Sequence, residues 1–347
     1  MGKPKTFNNG RQYPLIWAYI GTDDPSRGDS QGSTGLSERI AELMNGQAVY
    51  VDKKTLGNEF PGLQLSRNKS LASFIKKNGK PKLVLGTQSM DVRLYARDNH
   101  RDAIVWSVER VNESLSKHYS KTAAKFNLVA HNLTKSKLKR EAKKLDEKFS
   151  LKGPVVGIFL GSFIHRELCD AIARKIISIA KNYDEITLFV CPNRRAEGGY
   201  DHLMNAMKKS LNRHGLLERF RSLACGLREP QIRILGVPFD QCRKYNPYQG
   251  LLGRSDHIIQ VGDSGYVISE CLFTGKTVFT HQTWHCNDLE FEKPGTLKKL
   301  MDCSDDEPFP TEKVPPLDVT GEVAASIIKE FEIWRSKQQA AQVCVAD

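Results

Sequence analysis

"NPYQGLLGRSDHIIQVGDSGYVISECLFTGKTVF", residues 246–279, decides how this chain is read. Asn246 followed by Pro247 is a helix start, an amide cap before a proline whose missing N–H costs nothing in a first turn. PYQGLLGR then predicts a short helix, DHIIQVG an apolar strand, the run from Ser264 a second helix, and KTVFT a second strand. Near-continuous apolar strands alternating with helices belong to parallel sheets covered on both faces. In open parallel sheets, ligands settle outside the carboxyl ends of the strands. Asp263, Ser264 and Gly265 stand at such an end.

Asp263 reads as a cap for the helix that follows, and Ser264 and Gly265 leave that helix's first N–H groups open to a phosphate. Glu270 lies seven residues beyond Asp263, back on nearly the same helix face about 10 Å along the axis. Polar Ser269 and Glu270 interrupt the apolar set Val267, Ile268, Cys271 and Leu272. Donors at a helix tip followed by one carboxylate suit a diphosphate with its ribose two turns inward. A solvated glutamate is the competing explanation.

The same alternation runs along the rest of the chain. PLIWAYI, QAVYV, PKLVLG, RDAIVWSV and FNLVAH read as strands of a first series, with GLSERIAELMNG a helix ending at Gly46 and another from about Gln88. A second series begins with GPVVGIFLGS, then the amphipathic helix RELCDAIARKIISIAKN, the strand EITLFVCP, a helix over about 200–214 and the strand IRILG. The expected fold class is therefore α/β, with two doubly wound, Rossmann-like parallel-sheet domains over 1–150 and 151–315. Residues 316–347 carry a last helix, GEVAASIIKEFEIWRSK, expected to cross back to the first domain. Two further strand-end loops in the second domain suit phosphate. Gly161 and Ser162 allow a close backbone approach, and Asn193, Arg194 and Arg195 follow EITLFVCP with paired guanidinium forks.

Composition bounds the partners. A length of 347 residues exceeds one ordinary core, and 39% hydrophobic against 27% charged residues is globular rather than disordered. PLIWAYI is too short for a signal-peptide core, so the cytosolic side of a membrane is expected. The eight cysteines include no C-x-x-C pair and read as reduced core residues. His281, His285 and Cys286 form the one cluster with ligand-like spacing, and no second cluster joins them; no metal and no cofactor is expected. The net charge of +12 favours anionic partners. Its excess lies between Lys117 and Lys152, in a solvated helix carrying Lys135, Lys137, Lys139, Arg140, Lys143 and Lys144, or one drawn to an anionic membrane surface. MGKPKT fits the N-myristoylation pattern at Gly2. The basic tract lacks interleaved aromatics, so no nucleic acid is expected. Oligomeric state is not legible.

These motifs resemble the elongated-mitochondria, or mitochondrial-fission, proteins of plants and their bacterial relatives. GDSQGSTGLSERIAE is similar to that family's Gly-Asp-x-x-Gln segment. Arg194 with Arg195 matches its arginine pair, and residues 246–279 match its Asn-Pro-Tyr, Asp-Ser, Ser-Glu and Thr-Gly-Lys pattern, which takes in Tyr248. Gly161–Ser162 stands where the family usually has paired glycines, and Asn193 where it has serine. The resemblance implies two facing domains of GT-B type and a metal-independent glycosyltransferase using a nucleotide-diphosphate sugar. Gly161, Ser162, Asn193, Arg194, Arg195, Asn246, Tyr248, Asp263, Ser264, Gly265, Ser269 and Glu270 would hold the nucleotide sugar. The base taking the acceptor's proton is expected from the first domain, with Asp29, in the first inter-element loop, as candidate. The rivals are a non-catalytic adaptor on a membrane, the mitochondrial outer surface in a eukaryote, and a sugar-nucleotide 2-epimerase.

Overall fold

A computed structural model describes residues 15–20, 28–52, 69–86, 103–107, 129–162, 166–193, 196, 198–225, 230–262, 264–281, 297–312 and 314–346. The chain divides into one unit of residues 1–132 and 319–347 and a second of residues 133–318.

In the first unit, β1 (Leu15–Ile20), α1 (Gly28–Leu43), β2 (Gln47–Asp52), α2 (Lys69–Asn78), β3 (Leu83–Gly86) and β4 (Ile104–Ser107) form a sheet of order β2-β1-β3-β4 with every pairing parallel. Strand residues alternate faces. Trp17, Val51 and Val84 therefore share the face where Phe74 of α2 meets the Trp17 ring edge-on at 5.0 Å. Leu36 and Ile40 bury the inner side of α1, which ends where Asn45 takes φ 51° and Gly46 N–H returns to the Ala41 carbonyl at 2.7 Å.

The expected N-terminal limit of α1 is corrected. The helix begins at Gly28, so Asp29 lies in its first turn rather than in a loop. The stretch 28–34 has poor helix propensity, and tertiary packing overrides it. A Cβ on Gly35 would sit 2.3 Å from the His131 carbonyl oxygen, so only glycine lets α1 lie this close to that segment. The Thr34 and Ser37 hydroxyls donate back to the Gln31 and Thr34 carbonyls, which keeps a polar helix satisfied.

The second unit contains α3 (Lys135–Phe149), β5 (Val155–Leu160), α4 (Arg166–Ala180), β6 (Glu185–Cys191), α5 (Gly199–Cys225), β7 (Gln231–Gly236), α6 (Tyr248–Arg254), β8 (His257–Val261), α7 (Gly265–Phe273), β9 (Val278–His281) and β10 (Leu297–Lys299). Its six strands run β10-β9-β8-β5-β6-β7, all pairings parallel. The chain winds outward from β5 through β6 to β7, then restarts on the other side of β5 with β8. That reversal is the switch point of a doubly wound sheet. One face is an apolar layer of Ile158, Leu160, Ile259 and Val261 with Ile172 and Ile176 of α4 and Leu203 and Met207 of α5. The last helix, α8 (Val319–Ala346), packs on α1 through an inner row that includes Val323, Ile327 and Phe331.

The domain limit expected at 150 falls at 132, because α3 packs against α6 and is part of the second unit. The α2 helix and short β10 were not anticipated, and α5 extends well past residue 214. Val129–His131, the end of the expected strand FNLVAH, joins no sheet, while its beginning and the helix from Gln88 fall outside the described residues. Each series thus forms its own parallel-sheet α/β unit, as the alternation predicts.

Candidate functional site

The switch point brings two strand ends together. At the end of β5, Gly161 N–H donates to the Val261 carbonyl of β8 at 2.6 Å, and Ser162 is buried beside it. At the end of β8, Gly262 turns with φ 81° and its N–H donates to the His281 carbonyl. Ser264 follows and opens α7. Gly161, Ser162, Ser264 and Gly265, separated by a hundred residues of sequence, are therefore neighbours by topology.

The cap of α7 is Ser264, a correction to the expectation of Asp263, which lies outside the described residues. Ser264 is extended (φ −165°, ψ 102°), and its Oγ accepts the Val267 N–H at 3.3 Å. A hydroxyl has two acceptor positions and one donor, so capping leaves the Ser264 proton available to a ligand oxygen. Ser269 is fully buried and donates to the Gly265 carbonyl at 2.7 Å one turn back. That bond ties its hydroxyl to the first turn of α7.

Glu270 is 5% exposed, which removes the explanation of a solvated glutamate. Its Oε2 accepts the Tyr248 phenol at 2.5 Å. Burial pushes the carboxyl up to about 7, against the opposing pull of the Tyr248 hydrogen bond and the Lys137 charge. Burial first, and then the Glu270 charge, lifts the Tyr248 phenol well above its ordinary value.

Helix α6 presents Tyr248. The expected cap is corrected: Pro247 occupies the N-cap position of α6, and Asn246, one residue earlier, reaches across it with Oδ1 to accept the Tyr248 N–H at 3.0 Å. The Tyr248 ring meets Phe159 of β5 edge-on at 5.3 Å. At the other end of α6, the Lys276 ammonium donates to the Leu252 and Gly253 carbonyls at 2.9 and 3.1 Å. Desolvation lowers that lysine to about 8. The Thr-Gly-Lys motif is therefore a C-terminal clamp on α6, with Gly275 at φ 71° making the turn that Lys276 needs.

Asn193 follows β6, its carbonyl accepting the Ala196 N–H at 3.0 Å. Arg194 and Arg195 lie outside the described residues, as do His285 and Cys286. His281 closes β9 with its Nε2 buried, and burial lowers its pKa. Among the described residues no group of three metal-ligating side chains occurs, and no helix is long and apolar enough to cross a membrane. Sequence reasoning missed three contributors: Phe159, Lys137 and Lys276. Phe159 carried a signal, its place two residues before Gly161; Lys276 stood in the quoted motif without a role.

No protein-family profile and no curated protein matches the chain. Among solved structures, it is similar to Anabaena HepE in complex with UDP-glucose, with 12% identity and a TM-score of 0.44 over 96% of this chain and 100% of that one. It is similar to the Escherichia coli ADP-heptose LPS heptosyltransferase II at 12% identity and a TM-score of 0.43, covering 91% and 99%. A glycosyltransferase from Rickettsia africae gives 14% and 0.41 over 93% and 89%. At superpositions this loose, the likeness assigns neither ligand nor reaction to this chain.

Proposed function

We propose that this chain is a metal-independent glycosyltransferase of GT-B type whose second unit holds a nucleotide-diphosphate sugar. One observation carries the reading: a buried carboxylate, Glu270, stands on the first helix beyond the sheet's switch point, where Gly161, Ser162 and the Ser264-capped helix start converge. The pyrophosphate would rest against that helix start and the Gly161–Ser162 backbone, with the ribose on Glu270. Arg194 and Arg195 would supply the positive charge. In the reaction, the acceptor oxygen bonds to the anomeric carbon while the bond from that carbon to the diphosphate oxygen breaks. The electron pair leaves with the nucleoside diphosphate, and the acceptor's proton goes to a base, for which Asp29 is the candidate. Fixed donors stabilise the departing charge.

The test is a thermal-shift screen of the purified chain over UDP, GDP, ADP, CMP and their sugars. A ligand at 100 times its dissociation constant stabilises by about 2.7 kcal/mol. A shift retained in EDTA supports the reading, and no shift with any of them overturns it.

The basic helix favours a second reading. Lys135, Lys139, Lys143 and Lys144 are exposed on α3, and this suits an adaptor on an anionic membrane, in keeping with the motif resemblance to the elongated-mitochondria family. Co-sedimentation with phosphatidylserine vesicles that is lost in the Lys135→Glu/Lys139→Glu variant, with no nucleotide binding, selects it.

A further inference from the structure

We propose that Tyr248 is a positioning residue for ribose recognition: its phenol holds Oε2 of Glu270 and leaves Oε1 as the one oxygen that meets the ligand. This rests on the nucleotide-sugar reading and specifies how that site grips its sugar ring.

Three observations carry it. First, the phenol is fixed. Helix α6 has only seven residues, yet it is held by the Asn246 side chain on the Tyr248 N–H at its start and by Lys276 at its end. Its flank is pressed against α3, where a Cβ on Gly250 would lie 2.7 Å from the Glu141 carbonyl oxygen. With Phe159 against its ring, Tyr248 cannot swing away without unpacking this corner.

Second, Glu270 is half satisfied. Among the described residues, the Tyr248 hydroxyl is the only hydrogen-bond partner of the carboxylate. An ionised carboxylate accepts on two oxygens, and with Oε2 taken by the phenol, Oε1 is not among the buried unpartnered atoms and is left to solvent or to a ligand. A ribose hydroxyl supplies a donor of the kind required.

Third, among the described residues, few charges act on the carboxyl. Tyr248 faces it from α6 and Lys137 from α3, while Cys271 is its neighbour on α7. Burial outweighs both stabilising partners and holds the carboxyl at about 7. A hydroxyl donor stabilises the ionised form, so ribose affinity rises as Glu270 ionises. Removing the phenol takes away a donor and moves that rise to higher pH.

The experiment is isothermal titration of the full chain with UDP, GDP and ADP and their 2′-deoxy analogues between about pH 5.5 and 8.5, a window that brackets the raised Glu270 value of about 7. Wild type is expected to favour ribose over deoxyribose by roughly tenfold, the scale of one hydrogen bond to a charged group. Tyr248→Phe should keep binding but shift the pH midpoint upward and lose most of the discrimination. Glu270→Gln should bind weakly, with a ribose-to-deoxyribose ratio that no longer changes with pH; the terminal phosphate titrates in both ligands and cancels from that ratio. A Tyr248→Phe variant whose midpoint and discrimination both match wild type overturns the positioning role while leaving the nucleotide reading intact. Absence of wild-type binding to all three nucleotides overturns that reading and the ribose role with it. NMR titration of the Glu270 carboxyl carbon without nucleotide reads the Tyr248 hold separately: an upward shift in Tyr248→Phe supports it, and no shift overturns it.

Discussion

Gly250 of α6 lies so close to Glu141 of α3 that a single added carbon would stand 2.7 Å from the Glu141 carbonyl oxygen. Gly253, one turn on, would bring a Cβ to 2.5 Å from the Leu138 carbonyl. The helix that carries Tyr248 is therefore seated on backbone, through two glycines three residues apart.

Gly250→Ala tests that seat. Alanine is favoured over glycine within a helix by about 1 kcal/mol. The clash here is with a main-chain oxygen that has no rotamer to escape into, and overpacking of this kind costs about 1–3 kcal/mol. The clash wins: urea unfolding should show net destabilisation, whereas an alanine that stabilised the protein would mean that the helices part freely.

Glu270→Gln should change how stability depends on pH. The folded-state pKa of Glu270 is raised from 4.5 to about 7, so between these values the native state holds a proton that the unfolded chain has released. Stability from this group is therefore present at low pH, declines as pH rises through that window and is flat above it. Glutamine does not titrate and still accepts the Tyr248 hydroxyl. The melting temperature of Glu270→Gln relative to wild type should rise from pH 5 to pH 8, by about 2–4 °C for each kcal/mol. A constant difference would place the carboxyl in water.

Lys276→Met reports at the alkaline end. Burial lowers the folded pKa from 10.5 to about 8, so between these values the unfolded chain binds the extra proton and wild-type stability climbs with pH. Methionine fills a similar volume without titrating. Thermal melts from pH 7.5 to 10 should give the variant a flatter profile, and parallel profiles would contradict a desolvated ammonium on the α6 carbonyls.

Thr320→Val should loosen α8. The Thr320 hydroxyl accepts the His131 N–H at 2.8 Å and donates to the His131 carbonyl at 3.0 Å, both within buried surroundings. Valine keeps the shape and abandons two main-chain groups, a loss of about 1–3 kcal/mol each when they remain buried. Chemical denaturation followed at a probe in the first unit should move to lower denaturant by that amount. An unmoved transition would show that solvent replaces the hydroxyl.

The alternation of residues 246–279 gave α6, β8, α7 and β9 because apolar periodicity and cap chemistry are local. Asp29 falls inside α1 although GDSQGST has poor helix propensity, and the close seat of the next residue, Gly35, on the segment at His131 is a contact that no local pattern encodes. Glu270 stood out by its spacing, yet its tie to Tyr248 joins residues that no helical or strand period relates. Lys276 reaches α6 because the turn at Gly275 carries it past the end of α7 to the Leu252 and Gly253 carbonyls, a contact that no local pattern encodes. The limit expected at 150 followed the restart of strands, whereas α3 chooses its unit by which helix it touches.

The pair His131 and Thr320, 189 positions apart in sequence, has a consequence for synthesis. Residues 133–318 leave and rejoin the first unit at what is effectively a single point, so they form an inserted loop large enough to fold by itself. On the ribosome this insert emerges whole while its host still lacks α8, and the host finishes last although it starts first. Expressed alone, residues 133–318 would have neighbouring ends, the arrangement that tolerates circular permutation.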